Sequence, residues 1–155
     1  MSQEECYAVR DRSYSAWHRR HSTRRFVGID RAQLLAMVDL DCSLYVEYDD
    51  GTKEPLALIE TARDVGQDFK PATVTLALAR KAKIPCYVVL YSLGEDTNPA
   101  DPRWHDIARF RVRRLWPRPE SVWRGLTPGE WATGLLKIRE WSAKRLDRAA
   151  NDPRY

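Results

Sequence analysis

Met37 to Ala62 reads MVDLDCSLYVEYDDGTKEPLALIETA, and this stretch decides the fold class. From Met37 to Tyr48 the residues alternate with the period of a strand. One face carries Leu40, Cys42, Leu44, Val46 and Tyr48, the other Asp39, Asp41, Ser43, Tyr45 and Glu47. Asp49-Asp50-Gly51-Thr52 makes a turn, with Asp-Gly a strong hairpin signal. The return strand is Pro55 to Thr61. A turn centred between Asp50 and Gly51 sets Asp41 directly opposite Glu60 and Asp39 opposite Ala62. Residues directly opposite share a face, so carboxylates meet there, and like charges destabilise unless something offsets them. Mg²⁺ or Mn²⁺, which favour oxygen ligands, would do so. The competing reading leaves Asp39 and Asp41 solvated and pairs Glu60 with a nearby arginine; a one-residue slip separates the acids.

Downstream, Arg63 to Gln67 is a polar loop and Asp68 to Lys83 a helix, with Pro71 in its first turn. Phe69, Ala72, Leu76 and Ala79 form its apolar stripe, and Arg80, Lys81 and Lys83 suit its C-terminal end. After Pro85, Cys86 to Tyr91 reads as a buried strand. A hairpin, a helix and another apolar strand imply a mixed sheet with a crossover helix. Gly94 to Arg103 is a loop. Arg109 to Arg114 is a short edge strand with Phe110 and Val112 inward, and its alternating arginines guard the edge. Trp116 to Pro119 is a turn. Thr127-Pro128-Gly129-Glu130 is a capping box opening the last helix, whose apolar stripe is Trp131, Leu135, Ile138 and Trp141. Beyond Asp147 the tail frays. Upstream, Asp11 to His21 is a short helix, and Phe26 and Val27 begin a strand ended by Gly28.

The chain has 155 residues, 43% of them hydrophobic, which suits one domain with its own core. No apolar run reaches the roughly 18–20 residues a bilayer span needs, and no secretory h-region opens the chain, so a cytoplasmic location is expected. Cys6, Cys42 and Cys86 form no CxxC pair, which argues against a zinc site or a disulfide framework; Cys42 and Cys86 read as buried thiols. The net charge of +4 permits a nucleic-acid partner without demanding one. Arg19, Arg20, Arg24 and Arg25 are candidate phosphate contacts, although a solvated basic face explains them equally well. His18 and His21 lack a third ligand nearby, and Trp116 is a candidate stacking residue. The absence of a Gly-rich phosphate loop, a GxSxG elbow and an HExxH motif argues against nucleotide hydrolysis and against serine or zinc hydrolysis.

Val38-Asp39-Leu40-Asp41, a hairpin, Ala57-Leu58-Ile59-Glu60-Thr61-Ala62, a helix and a buried strand together resemble the PD-(D/E)XK nuclease superfamily, whose core is αβββαβ. Tyr14-Ser15-Ala16-Trp17-His18-Arg19 narrows the resemblance to small phage- or prophage-type members. It covers about residues 13–92, with a strand and helix over about 107–148 completing the same domain. It implies a restriction-endonuclease-like α/β domain, a mixed sheet flanked by helices with an extra C-terminal helix, and metal-dependent cleavage of DNA. Asp41 and Glu60 would be the catalytic carboxylates and principal ligands of Mg²⁺ or Mn²⁺, with Asp39 an accessory ligand. The chain departs from the motif at Ala62, where the family has lysine. Arg63 points to the other face and stays protonated, so Lys70, at the start of the next helix, is the substitute. The alternative is a silent nuclease fold that binds nucleic acid or a protein partner as a phage anti-defence or regulatory factor. Either role belongs in the cytoplasm of a bacterial host, with the oligomeric state open.

Overall fold

The computed structural model describes residues 13–19, 23–37 and 40–152. They belong to two compact units, Met1–Asp39 and Leu40–Tyr155. The first holds helices α1 (Ser13–Arg19), α2 (Arg24–Val27) and α3 (Ile29–Ala32). Phe26 and Val27 are thus helical and not the expected strand. Both amides donate to the Thr23 carbonyl at 3.0 Å, so the segment meets its hydrogen bonds locally and needs no partner strand. Gly28, at φ 82°, separates α2 from α3 in a conformation that glycine adopts without steric penalty.

The second unit runs β1 (Cys42–Glu47), β2 (Lys53–Arg63), α4 (Thr73–Ala82), β3 (Cys86–Asn98), β4 (Asp101–Trp116), β5 (Arg124–Leu126) and α5 (Pro128–Ala150). The strands form one five-stranded sheet in the order β1-β2-β3-β4-β5. Only the β2–β3 pair is parallel, with α4 as its crossover. The unit is therefore α/β: a mixed sheet flanked by helices, with a C-terminal helix. Among the described residues two strands, not three, precede the crossover.

The hairpin reaches the expected register by an unexpected route. Its turn centres on Asp50, not between Asp50 and Gly51: Tyr48 N–H donates to Thr52 O and Gly51 N–H to Tyr48 O, each at 2.9 Å. Gly51 takes φ 82° to close this three-residue loop. That alone would shift the partners, but β2 carries a bulge at Leu56, between the Leu44–Ala57 and Tyr45–Pro55 pairs. Pro55, with no N–H to place, is tolerated beside such a bulge. The Leu56 carbonyl accepts the Ser142 hydroxyl of α5 at 2.7 Å. Beyond the bulge, Cys42 faces Ile59, as expected from the sequence.

Both faces of the sheet are covered. Ala57, Ile59, Tyr87, Val89 and Val112 pack with Trp131 and Ile138 of α5. Leu58 and Cys86 pack with Ala79 of α4 and with Ile84. This double coverage makes Leu56 through Glu60 buried without a break, as expected for a strand in a parallel pair. The α5 capping box forms as expected, with Glu130 N–H donating to Thr127 Oγ1 and Thr127 N–H to Glu130 Oε2.

Several expectations need correction. The crossover helix starts at Thr73, not Asp68, and Phe69 is 68% exposed in the preceding loop. The expected loop Gly94–Arg103 is mostly an antiparallel ladder, because the Pro and Asn signals concentrate in one tight turn at Asn98-Pro99-Ala100-Asp101. β4 is not an edge strand, since β5 pairs with Phe110 to Val112. Cys86 is buried but Cys42, on the edge strand β1, is exposed. Trp141 is exposed, because Ser142 and not Trp141 falls on the i, i+4, i+7, i+11 stripe from Trp131; Ser142 is buried there and reaches the bulge. The helix continues to Ala150, past the expected fraying point. Trp116 is packed against the cluster under α4.

Candidate active site

Glu60 sits near the end of β2 on the face that packs against α4, and is only 6% exposed. A buried carboxylate needs partners. The Thr75 hydroxyl of α4 donates to Oε1, and Lys70 Nζ donates to Oε2 at 3.1 Å. Asp41, at the mouth of β1, follows the register to the same place. Its Oδ2 accepts the Thr61 N–H at 2.7 Å and the Thr61 hydroxyl at 3.3 Å, and lies 3.9 Å from Lys70 Nζ. Two carboxylates and one ammonium from three separate segments therefore converge. The offset that their like charge requires is supplied here by Lys70.

Lys70 reaches them from the loop, not from the helix start assigned to it. That loop is tied down throughout. Asp64 Oδ1 accepts Gly66 N–H at 2.8 Å, and Gln67 Oε1 accepts Val65 N–H at 2.8 Å. Arg111 of β4 donates to both Asp64 oxygens at 2.7 Å and to the Gln67 carbonyl at 2.9 Å. Trp123 donates its indole N–H to the Asp68 carbonyl at 3.0 Å and stacks under Arg111 and Arg113. These bonds anchor Asp64 to Asp68 in a bent loop outside the helix, which starts at Thr73.

The site's charge is felt by its neighbours. The Cys86 thiol is pushed up to about 11, first by burial and then by Glu60. The Cys42 thiol is raised by partial burial, then by Asp41 and Glu60.

The Arg111 guanidinium and the Gly66 N–H hold Asp64 down at about 2, below its ordinary 3.8. A carboxyl depressed on folding stabilises the native state above its unfolded pKa, and that contribution fades as pH falls toward the folded value. Asp64→Asn should therefore lower unfolding free energy by on the order of 2 kcal/mol at neutral pH. The deficit should shrink between about pH 4 and pH 2. Urea unfolding of both proteins across that range checks it; a deficit independent of pH would detach Asp64 from the ion pair.

Of the residues singled out from sequence, Asp41, Glu60 and Lys70 are brought together. Asp39, Arg20 and Cys6 lie outside the described residues, as does the side chain of Arg19. Arg24 and Arg25 are exposed on α2, with Arg25 over the Phe26 ring. Among the described residues no group of three His, Cys, Asp or Glu side chains gathers as a metal cluster. No described helix is long and apolar enough to cross a membrane. Thr61, Thr75, Asp64, Arg111 and Trp123 were not anticipated. Thr75 carried the one available signal, a hydroxyl on the helix facing a buried acid. Comparison with family models, curated proteins and solved structures finds no match to this chain.

Proposed function

We propose that the protein is a metal-dependent endonuclease acting on DNA phosphodiesters, built on a shortened restriction-endonuclease-like core. The observation that carries this reading is the convergence of Asp41 and Glu60 on Lys70 Nζ, at 3.9 and 3.1 Å. Two carboxylates meeting at one point are hard oxygen donors of the kind Mg²⁺ and Mn²⁺ take. Asp41 and Glu60 would hold the ion, and Lys70, on a flexible stem and 20% exposed, can turn aside to admit it. Such an ion activates water and neutralises charge on a phosphoryl oxygen. The chain's own residues do the rest. Thr75 and the Thr61 N–H fix the two carboxylates, and Lys70 orients the attacking water and meets the charge developing on the phosphate. Lys70 thereby takes the role that Ala62 leaves open. In this reading the protein is phage-encoded and works in the cytoplasm of a bacterial host.

A second reading has its own support. Lys70, Thr61 and Thr75 already satisfy both carboxylates, so the cluster is complete as a structural ion pair. A silent fold of this kind would bind nucleic acid or a protein partner. The test is cleavage of supercoiled, linear and branched DNA with Mg²⁺ or Mn²⁺. Cleavage that stops with chelator and in Asp41→Asn is the expected result. Well-folded protein that cuts none of these substrates would sink the nuclease reading and favour the binding one.

A further inference from the structure

A basic pocket separate from the carboxylates lies beside α5, at the end of the sheet where Trp116 and Pro117 leave β4. Its volume of about 590 Å³ is within the usual range of about 300–1,000 Å³ for small-ligand sites. Its wall includes Tyr87, which belongs to the cluster under α5, whereas Glu60 faces α4. Arg114, Arg118, Lys137 and Arg145 all line it, and no acidic residue does.

Two of these cations are positioned without being neutralised. Arg114 Nε donates to the Arg118 carbonyl at 3.1 Å, and Arg145 Nη1 to the Lys83 carbonyl at 2.8 Å. A carbonyl orients a guanidinium but leaves its charge in place. Among the described residues none of the four is ion-paired. Glu120, on the adjoining turn, is occupied by the Arg114 amide at 2.8 Å and by Arg124 at 3.1 Å. Arg118 also holds φ 56°, a left-handed backbone that disfavours a side chain and that tends to mark functional sites.

Aromatic surface lies beside the charge. The Arg145 guanidinium sits 4.6 Å from the Trp141 ring centroid and 5.6 Å from that of Trp116. Trp141 is nevertheless 43% exposed, so indole surface remains for a ligand. Clustered cations that repel one another call for an anion, and an exposed indole calls for a flat ring.

We propose that this pocket binds a nucleoside phosphate, its phosphate on Arg114, Arg118 and Lys137 and its base against Trp141. The source is a free nucleotide or the 5′ end of a nucleic-acid strand. The pocket shares no lining residue with Asp41, Glu60 or Lys70.

Titration calorimetry in chelator with dAMP, deoxyadenosine, inorganic phosphate, and an oligonucleotide with or without a 5′-phosphate tests this. The expected result is that dAMP or the 5′-phosphorylated strand binds more tightly than deoxyadenosine, phosphate or the 5′-hydroxyl strand. Arg118→Gln combined with Lys137→Gln, and Trp141→Leu separately, should each weaken that binding at least about tenfold. Arg118→Lys with Lys137→Arg should retain it, and so should Glu60→Gln, whatever happens to cleavage. Binding of dAMP alone identifies a free nucleotide; preference for the phosphorylated strand identifies a strand end. No binding of either, equal binding of the 5′-hydroxyl strand, or binding untouched by the variants would overturn the proposal.

Discussion

Glu60→Gln is expected to lower DNA cleavage by at least about a hundredfold while the protein stays folded. Partners one shell removed from a metal typically contribute about 10–100-fold, so a ligand should contribute at least the upper end of that range. The amide keeps the size of the carboxylate and a carbonyl oxygen for Lys70 or Thr75, but loses the charge that a cation and Lys70 require. Glu60→Ala is the harsher change. It strands the Lys70 ammonium and the Thr75 hydroxyl beside a cavity and should destabilise by about 2–3 kcal/mol. That figure sits below the range for fully buried pairs because Lys70 is 20% exposed. Urea unfolding beside a cleavage assay separates the two effects. A Glu60→Gln variant that cuts at the wild-type rate would remove this carboxylate from the chemistry. Under the binding reading, the same substitution would leave partner affinity unchanged.

Leu90→Ala should lower unfolding free energy by about 3–4 kcal/mol, within the range of about 2–5 for buried leucines. Leu90 is fully buried in β3, between Ala62 of β2 and Arg111 of β4. Its strand is hydrogen-bonded on both sides and covered on both faces, so the backbone cannot close the space left behind. Val74, exposed on the outer face of α4, provides the contrast: Val74→Ala should fall within about 0.5 kcal/mol of wild type. Chemical denaturation of the two variants decides it. A Leu90→Ala change near zero would mean that the sheet relaxes far more than its packing suggests.

Local chemistry was legible where one kind of residue decides the outcome. The alternation that gives β1, realised over Cys42–Glu47 and not the full Met37–Tyr48, the Asp-Gly turn, the apolar run into Glu60 and the Thr127 capping box each express a preference that holds without distant partners. The hairpin pairing reached Asp41 and Glu60, whereas Lys70 follows only as the substitute for the lysine that the nuclease resemblance expects at Ala62, and from a helix start that is a loop. The register was reached partly through cancellation, since the longer turn and the bulge at Leu56 offset each other. Pro55 was the visible trace of that bulge. Where competing partners decide, reading failed. Phe26 and Val27 have strand-like side chains but satisfy their amides at Thr23. Trp141 is apolar, but Ser142 and not Trp141 continues the i, i+4, i+7, i+11 stripe of Trp131, Leu135 and Ile138, so the polar residue takes the inward place and donates to the bulged carbonyl.

By itself, then, the sequence determined an α/β unit with a hairpin, a crossover helix and a buried strand, and it put two carboxylates on one face. Periodicity and turn chemistry act over a few residues, so the order of residues suffices to express them. Tertiary structure alone decided what surrounds those carboxylates. Arg111 lies 47 residues from Asp64, and Trp123 lies 55 from Asp68, yet together they shape the loop that delivers Lys70. The β3–β4 hairpin that brings Arg111 to the loop has a local trace in the turn Asn98-Pro99-Ala100-Asp101, but the meeting of Arg111 with Asp64 depends on the parallel β2–β3 pairing, which joins strands distant in the chain.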